Sequence, residues 1–363
     1  SSVTDMINLF RGATSFDQDL GNWNVGQVVS MIDMFREAGL SQENYDSTLN
    51  GWADLPSLQN DVPFNAGNSI YCAGESSRLR LINEYGWVIT DAGKDDCPFI
   101  TTWKTDNLGV SNDNQITIPT FQGETYDYAV DWGDGNSDAN VTGDITHTYL
   151  SPGTYQVSIS GDFPRIYFND EGDKSKLLFI DQWGDIIWSS MENAFWGCQN
   201  MDIGVSDVPD LSNVTSMRLL FKDCASLIGD GIVNWDVSTI QDFSNLFDSA
   251  TIFNQDLNDW DVSNVRNMND VFHTAINFNG NISDWNVSNV IFMSNMFRQA
   301  FAFNQDVSAW DVSQVSNFSN MFNGATVFNQ DLSGWDLGNA ESLSGMFGQA
   351  IAFNQDIGNW NVS

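Results

Sequence analysis

The sequence predicts a repeat solenoid in which each 25-residue coil supplies a short parallel strand and a short helix or 3₁₀ turn, with a small β-sandwich between two arrays of coils. Three observations predict this fold class: a fixed period, apolar residues in phase with it, and a middle segment that lacks it. The 363 residues include 25 Phe and 14 Trp beside a net charge of −35. This apolar content is enough for packed cores and argues against disorder.

The period is carried by columns of one residue type, each member 25 positions after the last. The Trp column is Trp235, Trp260, Trp285, Trp310, Trp335 and Trp360. Two Phe columns (Phe247 to Phe347 and Phe253 to Phe353), an Ala column (Ala250 to Ala350) and an Asn column (Asn254 to Asn354) keep the same step. Such self-similarity is typical of coils that bury their apolar faces against neighbouring coils.

Each coil is expected to contain two elements. Val265–Ala275 has apolar residues three and four apart, which favours a short helix, and Phe253–Leu257 looks extended. Strands of successive coils would then pair in parallel, about 4.8 Å apart. The Asn column is expected to point inward and satisfy backbone groups where each coil turns, with a ligand role as the alternative.

Five segments follow from where the columns begin and stop. Residues 1–38 end a first array, residues 39–98 form its C-terminal cap, residues 99–165 form the β-sandwich, residues 166–210 contain an N-terminal cap with irregular first coils, and residues 211–363 form the second array. The second array has no polar closing coil. We therefore expect the sequence to be a window of a longer protein or its ordered part.

The non-repetitive segments carry ordinary helix and strand signals. In the cap, residues 39–52 predict an amphipathic helix with Ser41 as N-cap, and a second helix is expected from Ser77 to Tyr85. In the sandwich, alternating apolar residues predict the strands Gln115–Ile118, Tyr126–Trp132 and Tyr155–Ile159.

The four cysteines fall into two pairs. Cys72 and Cys97 lie in the predicted cap, where a disulfide between them is a candidate and two buried thiols are the alternative. Cys198 and Cys224 take the position of the Ala column in early coils. Small buried thiols fit that position, and a stacked disulfide is the second interpretation.

Two acidic columns are the candidate metal site. The first contains Asp256, Asp306, Asp331 and Asp356, and the second contains Asp261, Asp311 and Asp336. Carboxylates one strand spacing apart repel by roughly 1 kcal/mol even in water, so they either face bulk salt or hold cations. Calcium is the functional hypothesis, although no cofactor is required. Capping of a turn by each Asp is the favoured interpretation.

Two resemblances to known families follow from these motifs. The coils Phe303-Asn-Gln-Asp-Val-Ser-Ala-Trp310 and Phe328-Asn-Gln-Asp-Leu-Ser-Gly-Trp335 resemble the repeats of BspA-like leucine-rich-repeat surface proteins of bacteria. Residues 99–165 resemble a PKD domain through Val130-Asp-Trp-Gly-Asp-Gly135 and His147-Thr-Tyr149. The resemblance implies export, often by the type IX secretion route, a role in adhesion and no catalytic residue.

The sequence therefore predicts a non-enzymatic adhesin-type protein, secreted or at the bacterial cell surface, that binds an extracellular protein or glycan or other surface-protein subunits. Its acidity argues against nucleic acid, and no apolar run predicts insertion into a membrane. Residues that vary between coils, namely Arg266, His273, Arg298 and Phe301, are where a ligand is expected to be recognised. The alternatives are a carbohydrate-binding accessory module of a secreted enzyme and a structural spacer in a giant surface protein or filament.

Overall fold

Two units, Ser1–Cys97 and Pro98–Ser363, make up the computed structural model, which describes residues 3–205 and 207–362. Each unit has its own continuous apolar core. The division falls between the predicted cap of the first array and the predicted β-sandwich. The expected five-segment organisation is finer than this division and stays a prediction.

The first unit pairs a short stretch of repeats with two helices. Its elements are α1 (Gln42–Ala53), β1 (Pro63–Asn65), α2 (Glu75–Tyr85) and β2 (Val88–Thr90), with β1 and β2 parallel. Both predicted helices are confirmed. Ser41 precedes α1, but its side chain does not cap the helix. Its backbone N–H and hydroxyl instead donate to the Asp17 carboxylate at 2.8 and 2.9 Å.

The second unit begins with two sheets. Its strands are β3 (Phe99–Lys104), β4 (Gln115–Ile118), β5 (Asp127–Asp131), β6 (Ser137–Val141), β7 (Ile145–Thr148), β8 (Thr154–Asp162), β9 (Leu177–Gln182) and β10 (Asp202–Ile203). The larger sheet has the order β10-β9-β3-β8-β5-β6, and β4 pairs with β7. The predicted strands are confirmed as β4, β5 and part of β8. The larger sheet extends beyond residue 165, because β9 and β10 belong to it.

The predicted fold class, a leucine-rich-repeat-like solenoid, is wrong. The protein is a mostly sheet fold with little helix, and its sheets are mixed and not closed. Short 3₁₀ turns occur at Lys174–Lys176 and Asp230–Asn234, but residues 235–362 contain neither a helix nor a strand longer than one bridge. The predicted strand Phe253–Leu257 forms no bridge. Single parallel bridges instead join successive repeats near the start of the segment predicted as a helix. They link Ser216, Asp242, Asn267, Phe292, Asn317 and Ser342 in turn.

Left-handed backbone explains why the predicted helix does not form in the repeats. The residue two before each Phe of the first Phe column has positive φ, as in Asn245, Asp270, Asn295 and Asn320. The residue two after it does too, as in Ser249, Thr274, Gln299 and Gly324. A left-handed residue ends both a right-handed helix and an extended strand. The predicted helix at Val265–Ala275 is therefore a run of turns.

Hydrogen bonds between successive repeats satisfy the backbone of these turns. The N–H groups of Met268, Asp270, Phe272 and Thr274 donate to the carbonyls of Phe292, Ser294, Met296 and Arg298, at 2.8–2.9 Å. The acceptor lies 24 residues after the donor each time, so all four bonds point toward the following repeat. Buried backbone groups are thereby paired without a regular strand ladder.

The aromatic columns form the core of the second unit. Rings of the first Phe column lie 5.6–5.7 Å apart from Phe247 to Phe347. Trp285 and Trp310 are 3 % exposed and stack at 6.3 Å, which confirms the predicted burial of the Trp column. From Trp260 to Trp360 each indole N–H also reaches the preceding repeat, as in Trp310, which donates to the Ile282 carbonyl at 3.2 Å. Trp suits this position because its ring is apolar and its N–H finds a partner.

The Asn column lies at the surface rather than inside. The Asn279 side-chain oxygen accepts a hydrogen bond from the Asn304 backbone N–H at 2.8 Å, and Asn304 accepts from Asn329 at 2.9 Å. Asn254 and Asn329 take part in the same way at the two ends of this ladder. The expected backbone role is thus observed, but on the exposed face of the turns.

Candidate functional site

The first acidic column caps turns. The carboxylates of Asp256, Asp306, Asp331 and Asp356 each accept a hydrogen bond from the backbone N–H two residues later, at 2.9–3.0 Å. Asn281, which occupies the same column, makes the same bond to the Ser283 N–H at 3.0 Å. An amide therefore replaces the carboxylate without loss of the contact, so the contact needs an oxygen and not a charge.

The second acidic column does the same one turn later. Asp261, Asp311 and Asp336 accept from the backbone N–H of Ser263, Ser313 and Gly338, at 2.9–3.1 Å. These Asp side chains are exposed. Asn286 again substitutes for Asp and accepts from the Ser288 N–H at 3.3 Å.

Hydrogen bonding keeps several of these carboxylates ionised. Bonds from Ser263, Ser308 and Ser313 lower the pKa of Asp261, Asp306 and Asp311 below the ordinary 3.8. The Ser333 backbone N–H lowers the pKa of Asp331 in the same way. A donor that stabilises the charged form shifts the equilibrium toward the carboxylate.

Calcium binding by these columns remains a hypothesis. Among residues 3–205 and 207–362, no three His, Cys, Asp or Glu side chains are grouped as a metal site. Each predicted ligand instead uses one oxygen in its own turn. The structure thus brings the seven Asp residues into two surface rows but not into a cluster around a point.

The four cysteines differ in state. Cys72 and Cys97 are joined by a disulfide, with their Cα atoms 5.4 Å apart. Cys198 and Cys224 are free and buried, and burial raises the pKa of both thiols. The Cys224 thiol lies 3.2 Å from the Phe195 carbonyl. These two side chains fill the position that Ala takes in later repeats.

The expected ligand-recognition residues lie on the turns. Arg266 is exposed, and Phe301 is 44 % exposed. His273 and Arg298 directly follow successive members of the first Phe column, as do Lys222 and Asp248. Lys222, His273 and Arg298 are half-buried and Asp248 is buried, so this column is a supported polar row rather than a set of free side chains.

An ion cluster forms in that polar row. Lys222 Nζ donates to Asp248 at 2.5 Å, and His273 Nδ1 lies 3.0 Å from the other carboxylate oxygen. Asp270 is 3.9 Å from the same imidazole nitrogen. Burial favours a higher pKa for Asp248, but the bonds from His273 and Lys222 outweigh it, so the pKa is lowered. Burial raises the pKa of Asp270.

A cavity of about 780 Å³ lies in the second unit between the sheets and the first repeats. We call it the aromatic pocket because Phe121 and Tyr167 line it, with ring centroids 5.0 Å apart. The Arg165 guanidinium lies 4.3 Å from the Phe121 centroid and 4.9 Å from that of Tyr167. Arg165 is only 7 % exposed, so its guanidinium packs against both rings from the protein interior.

Tyr126 fixes the loop that carries Phe121. Its hydroxyl accepts from the Phe121 N–H and donates to the Arg165 carbonyl, each at 2.8 Å. Thr120 forms an antiparallel bridge with Ile166, beside Tyr167. These contacts place the two rings on one wall although they are 46 positions apart in the sequence.

Sequence reasoning missed the aromatic pocket because it has no motif. Phe121 follows a predicted strand, and Tyr167 lies in the segment where the repeat columns are irregular. A signal was nevertheless available: Phe121 and Tyr167 are aromatic residues that belong to none of the repeat columns, so the predicted core does not account for them. Contacts between residues distant in sequence bring the two segments together, namely the pairing of Thr120 with Ile166 and the Tyr126 hydrogen bonds to Phe121 and Arg165.

The described residues include no helix that is both long and apolar enough to cross a membrane.

Comparison with known proteins gives one match. The family model described as "Mycoplasma protein of unknown function, DUF285" matches residues 1–59, 189–300 and 277–363. No curated protein and no solved structure matches the chain. The matched segments contain the two runs of repeats and the helix α1, and together they cover well over half of the sequence. The chain therefore belongs to the DUF285 family, whose function is unknown.

Proposed function

We propose that this chain is a non-enzymatic adhesion protein, secreted or on the cell surface, that binds an extracellular partner through the turns of its repeats. One observation carries the proposal: the core columns stay constant while the turn after each Ala carries different exposed residues. Apolar members of these turns are Ile252, Phe301, Val327 and Ile351, with exposures of 44 %, 44 %, 46 % and 83 %. We call them the turn-tip row.

Such an arrangement suits recognition. The scaffold beneath the row is fixed by the aromatic stack and by backbone bonds between repeats, so the side chains are presented with little loss of freedom on binding. Exposed apolar residues that recur along a polar surface are typical of sites that contact other proteins. The net charge of −35 favours partners with basic surfaces.

Binding to immobilised extracellular-matrix proteins and to cultured epithelial cells tests this proposal. The double variant Phe301→Ser with Val327→Ser is expected to lower binding at least tenfold while leaving the thermal midpoint unchanged. Phe292→Ser is the matched control, because Phe292 is 41 % exposed but lies outside the row. Equal binding by all three proteins, or no binding by the unsubstituted chain, would contradict the proposal.

A carbohydrate-binding accessory module is the second candidate function. The aromatic pocket is the observation that favours it, because paired rings beside hydroxyl, amide and carboxylate groups are suited to sugars. The Trp column does not contribute, since its rings are buried in the core.

A further inference from the structure

We infer that the aromatic pocket binds a neutral oligosaccharide; this rests on the second candidate function and assigns it a site. The first argument is shape and lining. The cavity of about 780 Å³ falls within the range of small-ligand sites, and its walls combine two aromatic rings with polar side chains. Sugar rings present C–H faces that pack on aromatic rings and hydroxyls that need hydrogen-bond partners.

Unused hydrogen-bonding groups provide the second argument. The side chains of Gln122, Asn169 and Glu171 line the pocket, and no hydrogen-bond partner for them is seen within residues 3–205 and 207–362. An amide offers both donor and acceptor, and a carboxylate offers acceptors only. Together they match a ligand that carries many hydroxyl groups.

The other polar groups of the pocket are already occupied. The carboxylate of Asp144 accepts from the N–H and hydroxyl of Thr120, both at 2.7 Å. The buried carboxylate of Asp173 accepts from the N–H groups of Val110 and Thr117 at 2.9 and 2.8 Å. These groups shape the wall, and the free side chains remain for a ligand.

Charge selects a neutral ligand over a charged one. No Lys or Arg side chain is among the lining residues, whereas Asp144, Glu171 and Asp173 are, so the carboxylates of the wall would repel an anion. A cation would need the aromatic faces, but the Arg165 guanidinium already lies over both rings. A second cation there would be repelled by the first.

The experiment is isothermal titration of the purified chain with cellohexaose, chitohexaose, mannohexaose and a lysine-rich peptide. At least one neutral hexasaccharide is expected to bind. Phe121→Ala and Tyr167→Ala should each weaken that binding at least tenfold. Gln122→Ala, an exposed change that leaves the core intact, should weaken it several-fold. Phe292→Ala is the matched control, because Phe292 is 41 % exposed and lies outside both the pocket and the turn-tip row, and it should bind as the unsubstituted chain does.

The outcomes separate the site from the function. Saccharide binding that survives Phe121→Ala and Gln122→Ala overturns the pocket assignment and leaves the carbohydrate-binding function standing. Absence of saccharide binding to the unsubstituted chain overturns both. Binding of the lysine-rich peptide alone, lost in Glu171→Gln, overturns the neutral-ligand assignment. If Phe121→Ala does not fold, the Gln122→Ala result decides.

Discussion

Aspartate has two different roles among individual residues of the repeats. Asp306 is exposed and uses one oxygen to cap a turn, a role that Asn281 fills equally well. Asp248 is buried and contacts Lys222 and His273. The charge is dispensable in the first case and essential in the second, because only the buried carboxylate has charged partners shielded from water.

The turn-capping role predicts how Asp306 responds to substitution. Asp306→Ala should lower the free energy of unfolding by about 0.5–1 kcal/mol through loss of one hydrogen bond, and Asp306→Asn, which keeps the acceptor oxygen, should lower it by less. Urea unfolding with calcium and with chelator measures both. A chelator-induced loss of stability that Asp306→Asn abolishes would show instead that the columns bind calcium.

The buried role predicts a pH-dependent effect at Asp248. Its pKa is lowered in the folded state, so its stabilisation is complete above the unfolded pKa of about 3.9 and is lost as pH falls through the folded value. Asp248→Asn should therefore lower the free energy of unfolding by about 1.5–3 kcal/mol at pH 7.

The same comparison at acidic pH provides the check. The difference between Asp248→Asn and the unsubstituted chain should shrink toward zero below the folded pKa, where the native carboxyl is itself protonated. Asp336→Asn is the control, because Asp336 is exposed and only caps a turn, and it should match the unsubstituted chain at both pH values. A pH-independent difference at Asp248 would mean that packing, and not the ion cluster, accounts for it.

At the scale of the structural elements, the repeats show which sequence signals determine side-chain contacts and which determine backbone conformation. The Trp and Phe columns predicted burial and stacking, because identical residues at a fixed step meet across neighbouring repeats. They did not predict the backbone conformation, because apolar residues three and four positions apart are compatible with a helix and also with these turns. The missed signal was the run of Asn and Asp at Asn245, Asp270, Asn295 and Asn320, residue types that tolerate positive φ.

Asn295 has left-handed backbone, with a φ of 56°. We therefore expect Gly and Ala substitutions at this position to rank in the opposite order of stability from the same substitutions at an ordinary position. Asn295→Gly should be more stable than Asn295→Ala by about 1 kcal/mol, because only Gly adopts positive φ without a steric cost. At the neighbouring Ser294, whose φ is not positive, Ala should be the more stable of the two. Chemical denaturation of the four variants gives the comparison, and the same order at both positions would contradict it.

At the scale of the whole molecule, the two units differ in how they are stabilised. The second unit has the long aromatic stack and carries its cysteines as free buried thiols. The first unit has a smaller core, two helices and the disulfide between Cys72 and Cys97. The position of that disulfide was foreseeable from the cysteines of the predicted cap. The aromatic pocket was not, because segments distant in sequence form it.

The separate cores predict that reduction acts on one unit only. Cys72 and Cys97 are 25 residues apart, and removing a cross-link over such a loop costs about 2–4 kcal/mol. Replacing both with Ala should therefore speed hydrogen exchange in peptides from residues 3–97 and leave those from residues 98–362 unchanged. Cys198→Ala is the matched control. It should speed exchange in peptides from residues 98–362 and leave those from residues 3–97 unchanged, since Cys198 packs in the core of the second unit. Faster exchange throughout the chain in the double variant would mean that the two units unfold together, and it would contradict their energetic independence.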